Sequence, residues 1–197
     1  MIRRSKKLVV GLSGGIACGK SSALKIFSEL GCDGISTDRI TSDILENNDS
    51  VKQSIGDKWG RDLFLNNQID KPKIAEIIFN SVPERIWLEE LLHPLVRQAW
   101  RSRVEISNKT IVVVEIPLLY EKGLQNFFDI TVCLISEKNI QLQRLHDRGL
   151  TNAQSNARID SQLCLSDKIH QADIVMLGDN SLSFLKKQID YFLASVT

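Results

Sequence analysis

A glycine-rich segment directly after a run of aliphatic residues constrains the fold more than any other feature of this sequence. The aliphatic run is Leu8 to Leu12, and helical periodicity begins at Lys20. The segment between them, Gly14-Gly15-Ile16-Ala17-Cys18-Gly19-Lys20-Ser21, matches the spacing G-x-x-x-x-G-K-[ST]. A strand, a tight turn and a helix are therefore predicted in immediate succession.

The same segment predicts a site for a polyphosphate. Glycines let successive backbone N–H groups turn inward around a phosphate chain, and the N-terminus of a helix adds partial positive charge there. Lys20 can reach the β- and γ-phosphates of a nucleoside triphosphate, and the Ser21 hydroxyl can bind Mg²⁺. A glycine-rich turn with a surface lysine is the structural alternative. The nucleotide-binding residues are expected to be Gly14, Gly15, Ala17, Cys18, Gly19, Lys20, Ser21 and Ser22.

Further apolar runs alternate with helical patterns along the chain. Runs of β-branched residues without polar alternation are typical of parallel strands covered on both faces. The alternation predicts a three-layer α/β/α fold of the P-loop NTPase type, with a parallel five-stranded sheet. Ser136 is expected to cap its helix, with Glu137 in the first turn. The remaining strands are predicted at Cys32 to Ser36 (weakly), Thr110 to Ile116, Ile130 to Ile135 and Asp173 to Leu177, and helices at Lys20 to Leu30, Ser136 to Arg148 and Leu182 to Leu193.

Two helical segments interrupt this alternation within what we expect to be a single domain, residues 1–197. About residues 39–109 show helical periodicity and no convincing strand, and a long helix is expected from Pro83 onward because proline suits the first turn. We interpret this segment as an insertion at the ligand-binding edge of the sheet. The second segment, within Gln141 to Ala172, is rich in Arg, Gln and Asp.

The composition excludes several classes of function. The 197 residues include 25 Lys and Arg against 24 Asp and Glu, so a net charge of +1 gives no general attraction to nucleic acid or to an anionic membrane. The apolar runs are far shorter than the roughly 20 residues that span a bilayer. Basic residues open the chain, but the apolar run after them is too short for a signal peptide. A cytoplasmic protein with reduced thiols is expected, because no metal-ligand spacing joins Cys18, Cys32, Cys133 and Cys164.

Two carboxylates follow predicted strands, where ligands of this fold class bind. Asp38 follows the weak second strand and can accept a proton from an attacking hydroxyl or help to organise a metal. The pattern Ser36-Thr37-Asp38 fits a helix N-cap equally well. Glu115 ends the aliphatic run Ile111 to Val114 and can hold Mg²⁺ directly or through water, although a solvated glutamate is the alternative.

The helical segments add one histidine and four basic residues. His93 precedes Pro94, and a lone histidine at such a position is more often a packed or surface residue than a functional one. Arg144 and Arg148 are four residues apart and are expected to share a helix face, where an anion such as a phosphate would relieve their repulsion. With Arg158 and Lys168 they form either a phosphate-binding group or a solvated basic face.

Taken in order, these residues resemble the dephospho-coenzyme A kinases, from Leu8 to about Leu193. The family usually shows Asp-Ala-Asp where this chain has Ser36-Thr37-Asp38, and Gly-Ser where it has Ala17-Cys18. The matching segments are Val10-Gly11-Leu12-Ser13-Gly14-Gly15-Ile16, Gly19-Lys20-Ser21, Leu92-His93-Pro94-Leu95-Val96-Arg97, Val114-Glu115-Ile116-Pro117-Leu118-Leu119-Tyr120-Glu121-Lys122-Gly123-Leu124, Gln143-Arg144-Leu145 with Arg148, Arg158-Ile159 with Gln162, and Ala172-Asp173.

The resemblance implies transfer of the ATP γ-phosphate to the ribose 3′-hydroxyl of dephospho-coenzyme A, with Mg²⁺ and without nucleic acid or membrane. The protein would be a monomer or a weak homo-oligomer. The insertion would bind the acceptor, and residues 141–168 would form a mobile lid. The implied roles are catalysis by Asp38, Lys20 and Arg144, nucleotide binding by Arg148, acceptor binding by Asp38, His93, Leu118 and Arg158, and metal binding by Ser21 and Glu115.

The departures from the family pattern carry expectations of their own. Backbone N–H groups survive the replacement at Ala17 and Cys18, so phosphate binding is expected to persist. Cys18, at a helix N-terminus, is expected to have a lowered pKa and to be reactive. The family's Asn after the last strand is missing near Gly178, so the resemblance does not identify the contacts to adenine.

Three other functions compete with this interpretation. A GTPase switch would need D-x-x-G after an apolar strand and N-K-x-D for guanine; Asp57-Lys58-Trp59-Gly60 supplies only the first string, in a polar context. A nonenzymatic nucleotide-binding regulator and another small-molecule or nucleotide kinase are the remaining alternatives.

Overall fold

The computed structural model describes residues 7–66 and 68–196. The basic residues Arg3, Arg4 and Lys6, noted in the sequence, lie outside the described residues. Two compact units are present: Thr37–Ile106 forms one, and the described residues on either side of it form the other. None of the described helices is both long and apolar enough to cross a membrane.

The unit formed by the two flanking segments contains a five-stranded sheet. The strands run in the order β2-β5-β1-β6-β7, and every neighbouring pair is parallel. This confirms the predicted α/β class and the parallel five-stranded sheet. The strands found among the described residues of both units are β1 (Leu8–Gly14), β2 (Asp33–Ser36), β3 (Phe64–Leu65), β4 (Gln68–Ile69), β5 (Ile111–Glu115), β6 (Ile130–Ile135) and β7 (Ile174–Leu177).

Helices cover the sheet, as the lack of polar alternation in its strands predicts. Residues of the helix after β1 and of the last described helix pack on one face, where the rings of Phe27 and Phe192 meet edge to face with centroids 6.0 Å apart. Leu119 and Phe128 lie against Gly11 on the other face. The helices are α1 (Lys20–Glu29), α2 (Thr37–Asn47), α3 (Asp49–Trp59), α4 (Lys71–Asn80), α5 (Val82–Ile106), α6 (Lys138–His146), α7 (Asn152–Asp160), α8 (Leu165–Gln171) and α9 (Leu182–Val196).

The start and the end of α6 both differ from the prediction. Ser136 does not cap the helix: its side chain is buried, and its hydroxyl oxygen accepts a hydrogen bond from Arg144 at 3.4 Å. The helix ends at His146, because Gly149 adopts φ 84° and its N–H donates to His146 O at 2.8 Å. Arg148 therefore lies outside the helix, and the expectation that it shares a helix face with Arg144 is wrong.

The unit Thr37–Ile106 has a hydrophobic core of its own. Buried side chains from α3, α4 and α5 meet there, and the rings of Trp59 and Trp87 contact each other with centroids 4.9 Å apart. The expectation of no strand is wrong in one place, because β3 and β4 form an antiparallel hairpin. Asn66 follows β3 with φ 48°, a conformation that asparagine tolerates in tight turns. Two-residue strands are too short to show in a periodicity pattern.

Candidate active site

The segment between β1 and α1 forms the predicted turn, and we call Gly14 to Ser21 the phosphate loop. Gly14 has φ 141°, and a Cβ built there would lie 2.1 Å from Leu134 O, so only glycine fits. Gly19 has φ 93° at the N-cap of α1. Ala17 has φ 60° although it carries a side chain. Positive φ values at Gly14, Ala17 and Gly19 therefore give the loop the kind of backbone conformation from which anion-binding nests of N–H groups are built.

The ammonium group of Lys20 folds back over this loop. Its Nζ donates hydrogen bonds to Gly15 O at 2.8 Å and to Gly14 O at 3.2 Å, and the side chain is half-buried. The positive charge is thus held next to the loop, which is where the lysine of such a loop contacts a bound phosphate.

Ser21 and Glu115 meet in the structure, although 94 residues separate them in sequence. The Ser21 hydroxyl donates to Glu115 Oε1 at 3.2 Å, and Glu115 is only 4% exposed. Glu115 ends β5 in register with Leu12 on one side and Ser36 on the other. Its position at the carboxyl end of a central strand is the one that the sequence predicted.

The chemistry of these two oxygen donors fits Mg²⁺. In residues 7–66 and 68–196, no group of three or more His, Cys, Asp or Glu side chains is arranged to hold a metal ion. Mg²⁺ suits such a site, because it is usually held by one or two protein oxygens together with substrate phosphates and water.

Arg144 connects the phosphate loop to the residue that follows β7. Its guanidinium donates to Ala17 O at 2.9 Å and to Gly178 O at 2.6 Å. Gly178 follows β7, and a Cβ there would lie 1.9 Å from Cys18 O, so the backbone needs a glycine at this close approach. Sequence reasoning missed this role of Gly178; the signal was a glycine directly after an apolar strand.

The other basic residues of the predicted lid differ in their exposure to solvent. Arg148 and Arg158 are exposed, as the basic-face interpretation expects. Lys168 is completely buried and forms an ion pair with Glu121 at 2.8 Å, so its assignment to that face is wrong. The uncharged side chain of Gln162 also reaches the loop: its Oε1 accepts a hydrogen bond from the backbone N–H of Ile16 at 3.1 Å. Gln162 and Lys168 contact the phosphate loop, and Glu121 pairs with Lys168; spacing alone identified none of these contacts.

The predicted acceptor-binding residues occupy separate elements. Asp38 is exposed in the first turn of α2, two residues after the end of β2, and the helix starts before it, so the N-cap interpretation of Asp38 is wrong. His93 is exposed on α5 and lines a groove of about 450 Å³ together with Arg97 and Arg101. Leu118 is half-buried in the turn after β5.

Cys18 is shielded rather than reactive. Its side chain has no exposed surface, and burial raises the pKa of its thiol, outweighing the nearby charges of Lys20 and Arg144. The predicted lowered pKa is therefore wrong, because desolvation of the thiolate exceeds the stabilisation that these charges give it. All four cysteines are free thiols, and only Cys164 among them is exposed.

Comparison with known proteins identifies one family. The family model for dephospho-CoA kinase matches residues 8–183. Dephospho-CoA kinase from Trichormus variabilis is 36% identical, covering 94% of this chain and 96% of that protein. The enzyme of the same name from Legionella pneumophila strain Philadelphia 1 is 34% identical, covering 92% and 91%. The solved structure of dephospho-CoA kinase from Campylobacter jejuni superposes with a TM-score of 0.72 at 27% identity, covering 95% of this chain and 96% of that one.

Proposed function

The chain belongs to the dephospho-CoA kinase family, and we propose that it transfers the γ-phosphate of ATP to the ribose 3′-hydroxyl of dephospho-CoA, giving coenzyme A and ADP. The observation that carries this proposal is the family match over nearly the whole chain, in which the phosphate loop, Glu115 and the Arg144 segment occur in order. This is the ATP-dependent step that produces coenzyme A in its biosynthesis.

Lys20 is assigned to the β- and γ-phosphates. Its ammonium is hydrogen-bonded to carbonyl oxygens of the phosphate loop, and phosphate oxygens of bound ATP would replace these acceptors. An ammonium that faces charge developing on the transferred group stabilises the transition state more than the ground state. Arg144 and Arg148 are assigned to the same anionic charge, Arg144 because its guanidinium already contacts the loop carbonyl of Ala17.

Ser21 and Glu115 are assigned to Mg²⁺, which when bound would neutralise phosphate charge. The hydroxyl–carboxylate contact of 3.2 Å supports this assignment, since it holds both oxygens at the end of the loop before any ligand arrives. A buried Glu115 also keeps Ser21 in one rotamer, which reduces the entropy lost on binding.

Asp38 is assigned as the base that accepts the proton of the ribose hydroxyl, and His93, Leu118 and Arg158 as acceptor-binding residues. Exposure of Asp38 in the first turn of α2 supports the assignment, because an accessible carboxylate can meet a substrate hydroxyl. The groove beside His93 carries the positive charges of Arg97 and Arg101 against the single negative charge of Glu105, and this balance suits a phosphate-bearing acceptor.

The free thiols support a cytoplasmic location, where reducing conditions keep cysteines unpaired. We propose a monomer or a weak homo-oligomer. ATP and dephospho-CoA are the proposed small-molecule partners.

A coupled assay of ADP release with purified protein tests the reaction. ADP formation that requires dephospho-CoA, with coenzyme A identified by mass spectrometry, is the expected result. ADP formation with a different acceptor would indicate another small-molecule kinase, and nucleotide binding without turnover would indicate a regulator. Hydrolysis of GTP alone would indicate the switch, which the placement of Asp57 within α3 already disfavours.

Replacement of Asp38 tests the assigned base. Asp38→Asn should lower kcat by about 10²- to 10⁴-fold while ATP affinity stays within about threefold, since the amide cannot accept the proton. Asp43→Asn on the same helix is the matched control, because Asp43 pairs with Arg103 at 3.4 Å and has no assigned catalytic role. An ATP affinity that falls in parallel with kcat would remove Asp38 from the role of base.

A further inference from the structure

Lys168 is a fully buried lysine close to the phosphate loop, to which the proposed function gives no task. Its relative exposure is 0%, and it lies on α8. Lysine side chains are almost never buried completely unless they are paired, because transfer of an ammonium from water is expensive. A lysine in this position must therefore make contacts that compensate for desolvation.

Three contacts surround the ammonium of Lys168. The carboxylate of Glu121 lies 2.8 Å away, and Gln162 Oε1 accepts a hydrogen bond at 3.4 Å. The third acceptor is the carbonyl oxygen of Gly14, at 3.5 Å. This same carbonyl accepts from Lys20 Nζ at 3.2 Å, so two lysines share one acceptor in the phosphate loop.

The partners of Lys168 reach the loop at a second point. Gln162 Oε1 also accepts the backbone N–H of Ile16, at 3.1 Å. Glu121 Oε1 accepts the N–H of Leu163 at 3.1 Å, which fixes the backbone next to Gln162. One ammonium thus connects the carbonyl of Gly14 and, through Gln162, the amide of Ile16.

Binding of ATP would change which groups donate hydrogen bonds to the carbonyl oxygen of Gly14. When Lys20 turns to the phosphates, as the proposed function requires, Gly14 O loses that donor. A buried carbonyl left without a donor is penalised, and the peptide would then tend to rotate and turn the neighbouring amides away. A second ammonium that stays in place prevents this, and its ion pair with Glu121 keeps it from adding net charge beside Lys20.

We infer that Lys168, acting with Gln162, is a positioning residue that holds the phosphate loop in its ATP-binding conformation after Lys20 has moved to the phosphates. The inference rests on the proposed function for the movement of Lys20. It assigns to Lys168 a contribution to nucleotide affinity rather than to acceptor binding, since each of its contacts leads to the loop or to the segment next to Gln162.

The test must separate positioning from simple stability. Lys168→Met alone leaves Glu121 as an uncompensated buried charge and is expected to lower the melting temperature. The double variant Lys168→Met/Glu121→Gln removes both charges and keeps an acceptor for Leu163 N–H, so its melting temperature should approach that of the wild type. Lys187→Met, on the exposed side of α9, is the matched control.

In the double variant we expect ATP to bind at least about tenfold more weakly by calorimetry, the size expected from loss of a charged hydrogen bond. The KM for ATP should rise with it, while the KM for dephospho-CoA stays within about twofold. If this double variant keeps both the melting temperature and the ATP affinity of the wild type, the inference is overturned.

If the double variant does not fold, Gln162→Leu decides the question, because it removes the oxygen shared by Lys168 and Ile16 and keeps the ion pair. Weakened ATP binding with an unchanged melting temperature supports the inference, and unchanged binding overturns it. Wild-type protein that binds ATP without phosphorylating dephospho-CoA would contradict the proposed function alone. The role of Lys168 could still be tested, because the ATP affinities of the variants and the wild type can be compared without turnover.

Discussion

One residue of the phosphate loop, Ala17, has a left-handed backbone conformation that is unfavourable for a residue with a side chain. Ala17 has φ 60°, in a region where an L-residue with a Cβ is disfavoured by roughly 1–2 kcal/mol. Its carbonyl accepts from Arg144 at 2.9 Å, and this contact helps to hold the unfavourable conformation. Strain of this kind persists where surrounding contacts fix the backbone.

Ala17→Gly should therefore stabilise the protein by about 0.5 kcal/mol, since relief of the left-handed strain slightly exceeds the entropy gained by the unfolded chain. Ala23→Gly, inside α1, should instead destabilise it by about 1 kcal/mol or more. Urea denaturation measures both changes. Destabilisation by Ala17→Gly would show that position 17 is not strained.

Lys20 carries the most direct prediction at this scale. Lys20→Ala should reduce phosphoryl transfer by about 10²- to 10³-fold, the effect of removing one preorganised charge from the transition state. The melting temperature should stay near the wild-type value, because the hydrogen bonds of Lys20 to Gly14 O and Gly15 O lie within its own loop and do not join separate elements. Lys25→Ala is the control on the same helix, with a side chain 79% exposed. Near-normal turnover would contradict the assigned phosphate contact.

At the scale of elements, glycines decide where helices end. Gly31 has φ 95° after α1, where its N–H donates to Ser28 O at 3.1 Å and the next N–H, that of Cys32, donates to Phe27 O at 3.0 Å. This paired arrangement closes a helix with a left-handed residue. Gly56 differs, because it lies inside α3 and a Cβ there would make only ordinary contacts of 3.4 Å or more.

The two glycines should therefore respond to alanine with opposite signs. Gly56→Ala should stabilise the protein by about 0.5–1 kcal/mol, from helix propensity and reduced freedom of the unfolded chain. Gly31→Ala should destabilise it by about 1 kcal/mol through left-handed strain. Chemical denaturation of the two variants gives both values, and equal signs would show that helix position does not control the effect.

At the scale of the whole molecule, burial keeps most thiols protonated. Desolvation raises the pKa of Cys133 from 9.0 to about 11, and it also raises the pKa values of Cys18 and Cys32. A raised pKa means that the folded protein keeps a proton that the unfolded chain releases. The contribution to stability is therefore complete below about pH 9 and is lost as the pH rises toward 11.

Stability should accordingly fall between pH 8 and pH 10, and Cys133→Ala should reduce the size of that fall by about 1 kcal/mol. The free energy of unfolding in urea, measured at both pH values, provides the comparison. Cys164→Ala, at the exposed cysteine, should show the same fall as the wild type. An equal fall in the Cys133 variant would exclude this thiol as a source of alkaline sensitivity.

The chain as a whole shows which features are local and which are not. Strands β1 and β6 and the start of α1 were predicted closely, because runs of β-branched residues and the G-x-x-x-x-G-K-[ST] spacing depend only on neighbouring residues. The hairpin of β3 and β4 was missed, since two residues per strand are too few to show a period. The end of α6 was misplaced because Gly149 was not recognised as its terminator.

By itself, the sequence determined the fold class, the phosphate loop and the order of the carboxylates, since spacing and periodicity are properties of a linear pattern. Only the tertiary structure decided that Lys168 is buried against Glu121, that Gly178 approaches Cys18, and that Cys18 is shielded from solvent. The physical reason is that desolvation and close backbone approach depend on residues far apart in the chain, which packing alone brings together.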